Sequence, residues 1–402
     1  MAHRHLFSTL LLAAVLLAPA ASAQTPAQPP LYPIPPNADN QSLDGLAVDA
    51  AGNITFLWTN LHFTGTASQT QVFTRLVNST GLPLGPATAL EDLRFDSFGI
   101  TVVANQRGDV LTTWARRRRT GTTYQYLLRR TSHHARRLNL TLKGGADIAV
   151  DGAGDFVAVW LSPTPAGYRI FGQRYNVDGT LRGPEFTIPD SAGHGQSSQS
   201  VAMNPTTGEF VVVWEVRDTD GTGLGVYGQR FGFTTGPQGA PFGIFVPAVI
   251  DRPSANQYFA PQVARANNGH FTVIWRNPKD DGNSTDILGQ RYDTNGVPLG
   301  APLTIVANAD IPDSHPQLAM GPKGDFVVAW DDQGTSPAWF QLFHPNGVPA
   351  GPVMVEPATG GATFNGAGRV TYGFNKNFVY GWTNFNDNGT SGNSIAYQRW
   401  NQ

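Results

Sequence analysis

Residues 154–160 read GDFVAVW, residues 208–214 read GEFVVVW and residues 324–330 read GDFVVAW. Each has a glycine and an acid, which suit a tight turn, and then an apolar run ending in tryptophan. Looser copies are NITFLW ending at Trp58, DVLTTW at Trp114, HFTVIW at Trp275 and NFVYGW at Trp382. Together the series is Trp58, Trp114, Trp160, Trp214, Trp275, Trp330 and Trp382, at spacings of 56, 46, 54, 61, 55 and 52 residues. Only Trp339 and Trp400 lie outside it. Recurrence at this scale is the mark of a repeat architecture.

The apolar run narrows the choice. A strand with one wet face alternates polar and apolar residues. Phe156, Val157, Ala158, Val159 and Trp160 do not alternate, so both faces must be covered. The rest of a unit is readable in the sixth copy. PQLAM (316–320) is a short strand and GPKGD a turn. FVVAW is a second strand, DDQGTSPA a loop, WFQLF a third strand and HPNG a turn. VPAGPVMV (348–355) then carries a fourth strand. Four short strands per unit, seven times over, predict an all-β chain forming one seven-bladed β-propeller of four-stranded blades.

A second motif follows each tryptophan. IFGQRYNVDG (170–179), VYGQRF (226–231) and ILGQRYDTNG (287–296) place Arg174, Arg230 and Arg291 at one position of the third strand. Their recurrence points to a structural brace, by packing on an aromatic ring or pairing with a carboxylate. The seventh unit stops at Gln402 after three strands. PLYPIPPNAD (30–39) resembles the fourth-strand segment PLTIVANAD (302–310). The spacing therefore predicts that an N-terminal strand near Leu31–Ile34 pairs with Ser394–Trp400 and closes the ring.

The first 23 residues, MAHRHLFSTLLLAAVLLAPAASA, have the basic, apolar and small-residue layout of a secretory signal peptide. Cleavage after Ala23 leaves residues 24–402 as the propeller. The apolar run is short for a membrane span, and no second candidate occurs. A secreted or periplasmic protein is expected, and a monomer. There is no cysteine, so stability in an oxidising compartment rests on burial. Glycine (45) and proline (30) are abundant, as turns require. A net charge of −2 provides no global field for nucleic acid or anionic membranes, and no specific nucleic-acid partner is expected.

Unit two departs from this balance. Residues 115–143 hold eight arginines, one lysine and no acid, so the remainder of the chain carries a net −11. Arg116, Arg117, Arg118 and Arg119 directly follow Trp114 and are placed in the loop between the second and third strands. They are the candidate ligand-binding residues, against the plainer reading of a solvated, drifted repeat. On a propeller that loop shares a face with the connections between blades. Those segments vary most here, and variable loops on a rigid scaffold commonly bind. DTDG (218–221) offers Asp218 and Asp220 as weak calcium candidates, although the EF-hand spacing is absent. No other metal ligand set and no cofactor are expected. The sequence carries neither a nucleophile-elbow G-x-S-x-G, an H-E-x-x-H nor a phosphate loop, and no catalytic residue is assigned. The expected role is binding of a glycan or an extracellular protein. A carbohydrate-active hydrolase or lyase, or a structural surface protein, is the alternative.

In its GDFVVVW…GQR(F/Y) repeats the chain resembles a class of exported bacterial β-propeller repeat proteins. The AVDAAGN and AVDGAGD turns are distantly similar to those of NHL-type propellers. The tryptophan and the GQR strand depart from the latter. These resemblances imply a propeller and export, and they name no ligand.

Overall fold

The computed structural model describes residues 31–34, 40–64, 67–118, 121–131, 138–165, 167–189, 195–217, 223–246, 258–278, 284–309, 316–330, 338–355, 368–373, 377–384 and 394–401. These build seven four-stranded antiparallel sheets. Six follow chain order. In blade three, Ala146–Val150, Phe156–Thr164, Gly167–Tyr175 and Phe186–Thr187 pair in sequence. The seventh sheet takes Arg369–Tyr372, Asn377–Asn384 and Ser394–Asn401 from the C-terminus and Leu31–Ile34 from the N-terminus. Leu31 lies opposite Tyr397 and Ile34 opposite Ile395. The chain is a seven-bladed β-propeller closed by its own first strand.

Seven apolar clusters line the seven blade-to-blade contacts. Blade four shows why the second strand cannot alternate. Its Phe210, Val212, Trp214 and Val216 pack with Val157, Val159 and Ile170 of blade three. Its Val211 and Val213 pack with Val263, Val273 and Trp275 of blade five. Every residue of the strand is thus core, and each repeat tryptophan packs toward the preceding blade. All seven are at most 6% exposed. Full burial of such side chains contributes roughly 1.5–3 kcal/mol each, multiplied around the ring.

The tryptophans hold equivalent registers. Trp160 faces Ala146 and Phe171, Trp214 faces Tyr227, Trp275 faces Leu288, and Trp382 faces Ala396. One detail of the sequence reading is corrected. The second strand runs past its tryptophan in blades one to five and in blade seven. In blade one it continues to Thr64, and in blade two to Arg118. These hairpins extend beyond the core because their outer rungs pair backbone with backbone, with no neighbouring blade needed to cover both faces.

The GQR motif divides into three jobs. Gly172 leaves room for Phe186 of the fourth strand, since a Cβ there would lie 2.4 Å from the ring. Gln173, Gln229 and Gln290 donate to the carbonyls of Gly183, Gly239 and Gly300, fixing the start of the fourth strand. The arginines reach the next blade. Arg174 donates to the carbonyl of Phe233 at 3.1 Å, Arg230 to that of Thr294 at 2.8 Å, and Arg291 to that of Asn346. Arg174 also lies over the Phe186 ring, 5.2 Å from its centroid. The acceptors of these arginines are turn carbonyls rather than carboxylates. Arg130 of blade two and Arg399 of blade seven occupy the same register, while Leu76 and Leu342 replace arginine in blades one and six.

Candidate functional site

The first strands surround the axis in levels. At the turn end, Val48, Ala104, Val150, Met203, Arg265, Met320 and Tyr372 share one level. Each faces the residue four before its blade's tryptophan. These strands and the turns after them line a pocket of about 300 Å³ on the axis. Its walls combine apolar side chains such as Leu46, Val102, Leu318 and Val370 with the polar Asn105, Gln106, Asn267 and Thr371. Arg265 supplies its cation and is held by Glu209 at 3.2 Å. Burial pulls the Arg265 pKa down, and the Glu209 charge opposes that shift.

Toward the loop end the lining turns polar. Thr101, Asp147, Ser200, Gln262, Gln317 and Arg369 face the residue just before each tryptophan. An innermost strand has a free edge, so its N–H groups lack ladder partners. The polar residues supply them. The Asp147 carboxylate accepts from the N–H of Val201 at 2.9 Å, and the Gln262 carbonyl accepts from the N–H of Leu318 at 3.0 Å. Ser200 Oγ accepts from the N–H of Val263 at 3.4 Å. Burial pushes Asp147 up to about 6, with the N–H groups of Val201 and Ile148 and the Ser200 hydroxyl pulling back. Asp44, in the first strand of blade one, is also raised by burial, offset by the Thr59 hydroxyl and by Arg369. Asp147 and Asp44 were not singled out in the sequence. The available signal was positional, a polar residue just before a short apolar run in successive units.

The blade-two arginines are placed differently from expectation. Arg116, Arg117 and Arg118 are strand residues, not loop residues, because Phe95–Ala104 pairs with all three and Tyr124–Thr131 with Arg116 and Arg117. Their like charges are partly neutralised. Arg116 pairs with Glu91 at 2.7 Å and lies 4.3 Å from the Phe95 ring centroid. Arg117 approaches Asp96 at 3.7 Å and the Tyr124 ring at 5.6 Å. Arg118 has no ion pair with a described residue and sits 5.7 Å from the Phe95 ring. Arg119, Asp218 and Asp220 lie outside the described residues. Among the described residues no three His, Cys, Asp or Glu side chains gather as metal ligands. No helix among them is long and apolar enough to cross a membrane.

No protein-family model matches the chain. No curated protein matches it either. Solved structures share its fold. A polysaccharide lyase, Uly1, is similar with a TM-score of 0.53 and 11% identity, over 96% of this chain and 90% of that one. The β-propeller domain of the Trilobed protease from Pyrococcus furiosus has a TM-score of 0.51 and 9% identity, over 89% and 93% of the two chains. That domain is described as having an open velcro topology, whereas here the terminal strands pair. A fungal alcohol oxidase of the AA5 family, in complex with copper, gives 0.50 and 13%, over 93% and 76%. At these identities the likeness is one of fold, which unrelated functions share.

Proposed function

We propose that this protein is an exported, monomeric recognition module that binds glycan or protein on the face where its blades' second and third strands meet. The observation that carries this reading is an asymmetry between the two faces. On one, short turns of a common pattern are stapled from blade to blade by the GQR arginines. On the other, hairpins of unequal length rise past the tryptophans, in blade one as far as Thr64 paired with Ala67. A rigid ring that presents unlike strand ends suits binding, since fixed elements hold contact residues in place without an ordering cost. The role needs no resident cofactor. A panel of neutral and acidic glycans tests it directly. Retention of at least one class by the folded protein, without cleavage, is the expected result. Retention of none would overturn the glycan branch.

A carbohydrate-active hydrolase or lyase is the second reading. Asp147 and Asp44 favour it, because carboxyls whose pKa is raised by burial are what general acids require. A polysaccharide lyase shares the fold, which makes the scaffold compatible with such chemistry. Release of new chain ends from any glycan of the same panel would decide for this reading.

A further inference from the structure

Blade two exposes aromatic rings beside a cation that its ion pair only partly neutralises. Phe98 is 40% and Tyr124 44% exposed. Tyr168 is the one other aromatic among the described residues exposed to this degree. Phe98 and Tyr124 are not scattered singly, for their rings meet edge to face at 5.3 Å and 86°. Phe98 stands where the pairing of the first and second strands slips, next to Gly99 at φ 63°. A bulge of this kind re-aims a side chain and is over-represented beside functional sites. Glycine is suited to Gly99, because L side chains rarely adopt this left-handed backbone.

A cation adjoins the rings through the ladder. Arg117 lies opposite Tyr124 on one side and Asp96 on the other. Its side chain is 40% exposed, and at 3.7 Å the Asp96 oxygen is beyond hydrogen-bond range, so the guanidinium keeps outward donors. Arg118, one rung further out, alternates to the other face of the hairpin, beside Phe95. The patch therefore combines two apolar ring surfaces with one guanidinium that retains donors.

We infer that Phe98, Tyr124 and Arg117 form a binding site for an acidic polysaccharide, with sugar rings packed on the aromatics and a carboxylate or sulfate group held by the arginine. This deepens the recognition reading and rests on it. The chemistry matches part by part. A pyranose presents an apolar C–H face of about ring size, which a rigid aromatic covers at little entropic cost. Guanidinium is planar and weakly hydrated, and it donates in a fork that fits carboxylate and sulfate oxygens. A neutral glycan would leave those donors unanswered. A nucleic acid would need a run of phosphate contacts along a groove, whereas this patch offers a single guanidinium beside two rings.

The test uses the mature protein and four probes: a polyuronate, a sulfated galactan of similar charge density, a neutral β-glucan and a short DNA duplex. Binding is measured from low to high salt for wild type, Tyr124→Ser, Phe98→Ser and Arg117→Ser. Each variant changes an exposed side chain, and an unchanged melting temperature confirms folding. Wild type is expected to bind the polyuronate or the galactan and to ignore glucan and DNA. Tyr124→Ser and Phe98→Ser should weaken binding about tenfold at every salt concentration. Arg117→Ser should weaken it mainly at low salt, because screening removes its share at high salt. If wild type retains an acidic polysaccharide that all three variants hold equally well, this site is overturned while the recognition reading stands. If wild type retains no glycan at all, the site falls together with the glycan branch of the recognition reading. Equal retention of DNA and polyuronate would reduce the patch to a nonspecific cation surface and overturn the site.

Discussion

Arg399 and Gly52 are 347 residues apart in sequence, yet the arginine Nη2 donates to the glycine carbonyl at 2.8 Å. The same nitrogen reaches the carbonyl of Asn78 at 3.3 Å. Arg399 does for blades seven and one what Arg174, Arg230 and Arg291 do between blades three and six. It is 8% exposed, and its loss leaves two part-buried acceptors without this donor. Arg399→Leu should cost about 1.5–3 kcal/mol, the range for hydrogen bonds to charged groups. Denaturant unfolding of wild type and variant measures this, and an unchanged midpoint would show that the staple is dispensable.

The N-terminal strand should matter as much as a blade's own fourth strand. Ile34 is 3% exposed and packs in the cluster that holds Trp58 and Ile395. Ile34→Ala is expected to destabilise by about 2–5 kcal/mol. Removing residues 24–39 should lower the melting temperature further, because it also exposes the unpaired edge of Ser394–Asn401. Scanning calorimetry of both variants checks the order.

Close approach at Gly172 predicts an asymmetric result. The Cβ of Gly172→Ala would lie 2.4 Å from the Phe186 ring, and overpacking typically costs about 1–3 kcal/mol. Phe186→Leu should recover part of the loss in the double variant. A strictly additive double-mutant cycle would show that the two side chains do not meet.

Asp147 gives the ring a pH dependence with a definite sign. Its folded-state pKa of about 6 lies above the ordinary aspartate value of about 3.9. The folded protein therefore holds this proton more tightly than the unfolded chain does. The contribution favours the fold below about pH 4, is lost as pH rises through about 6, and stays lost above it. Asp147→Asn should gain in relative stability from pH 4 to pH 8. Melting temperatures of both proteins across that range provide the measurement, and parallel curves would exclude a raised pKa at this position.

Blade number, the register of the tryptophans and closure by Leu31–Ile34 were all legible in the sequence. Each rests on a local pattern that every blade must repeat to meet its neighbours. A run such as FVAVW is apolar throughout because both of its faces are covered, and that requirement is written into consecutive residues. The partners of the GQR arginines were not legible, since their acceptors are backbone carbonyls in the next blade, which any residue type can offer. Nor was the pairing of Arg116 with Glu91, which joins a strand to the connection before it and leaves no periodic trace. The aromatic pair of Phe98 and Tyr124 and the buried carboxylate of Asp147 belong to the same category. Sequence determined the ring because repetition is local and periodic. Only the tertiary structure decided which side chains meet on its axis and its rim, because those meetings join residues that have no fixed spacing along the chain.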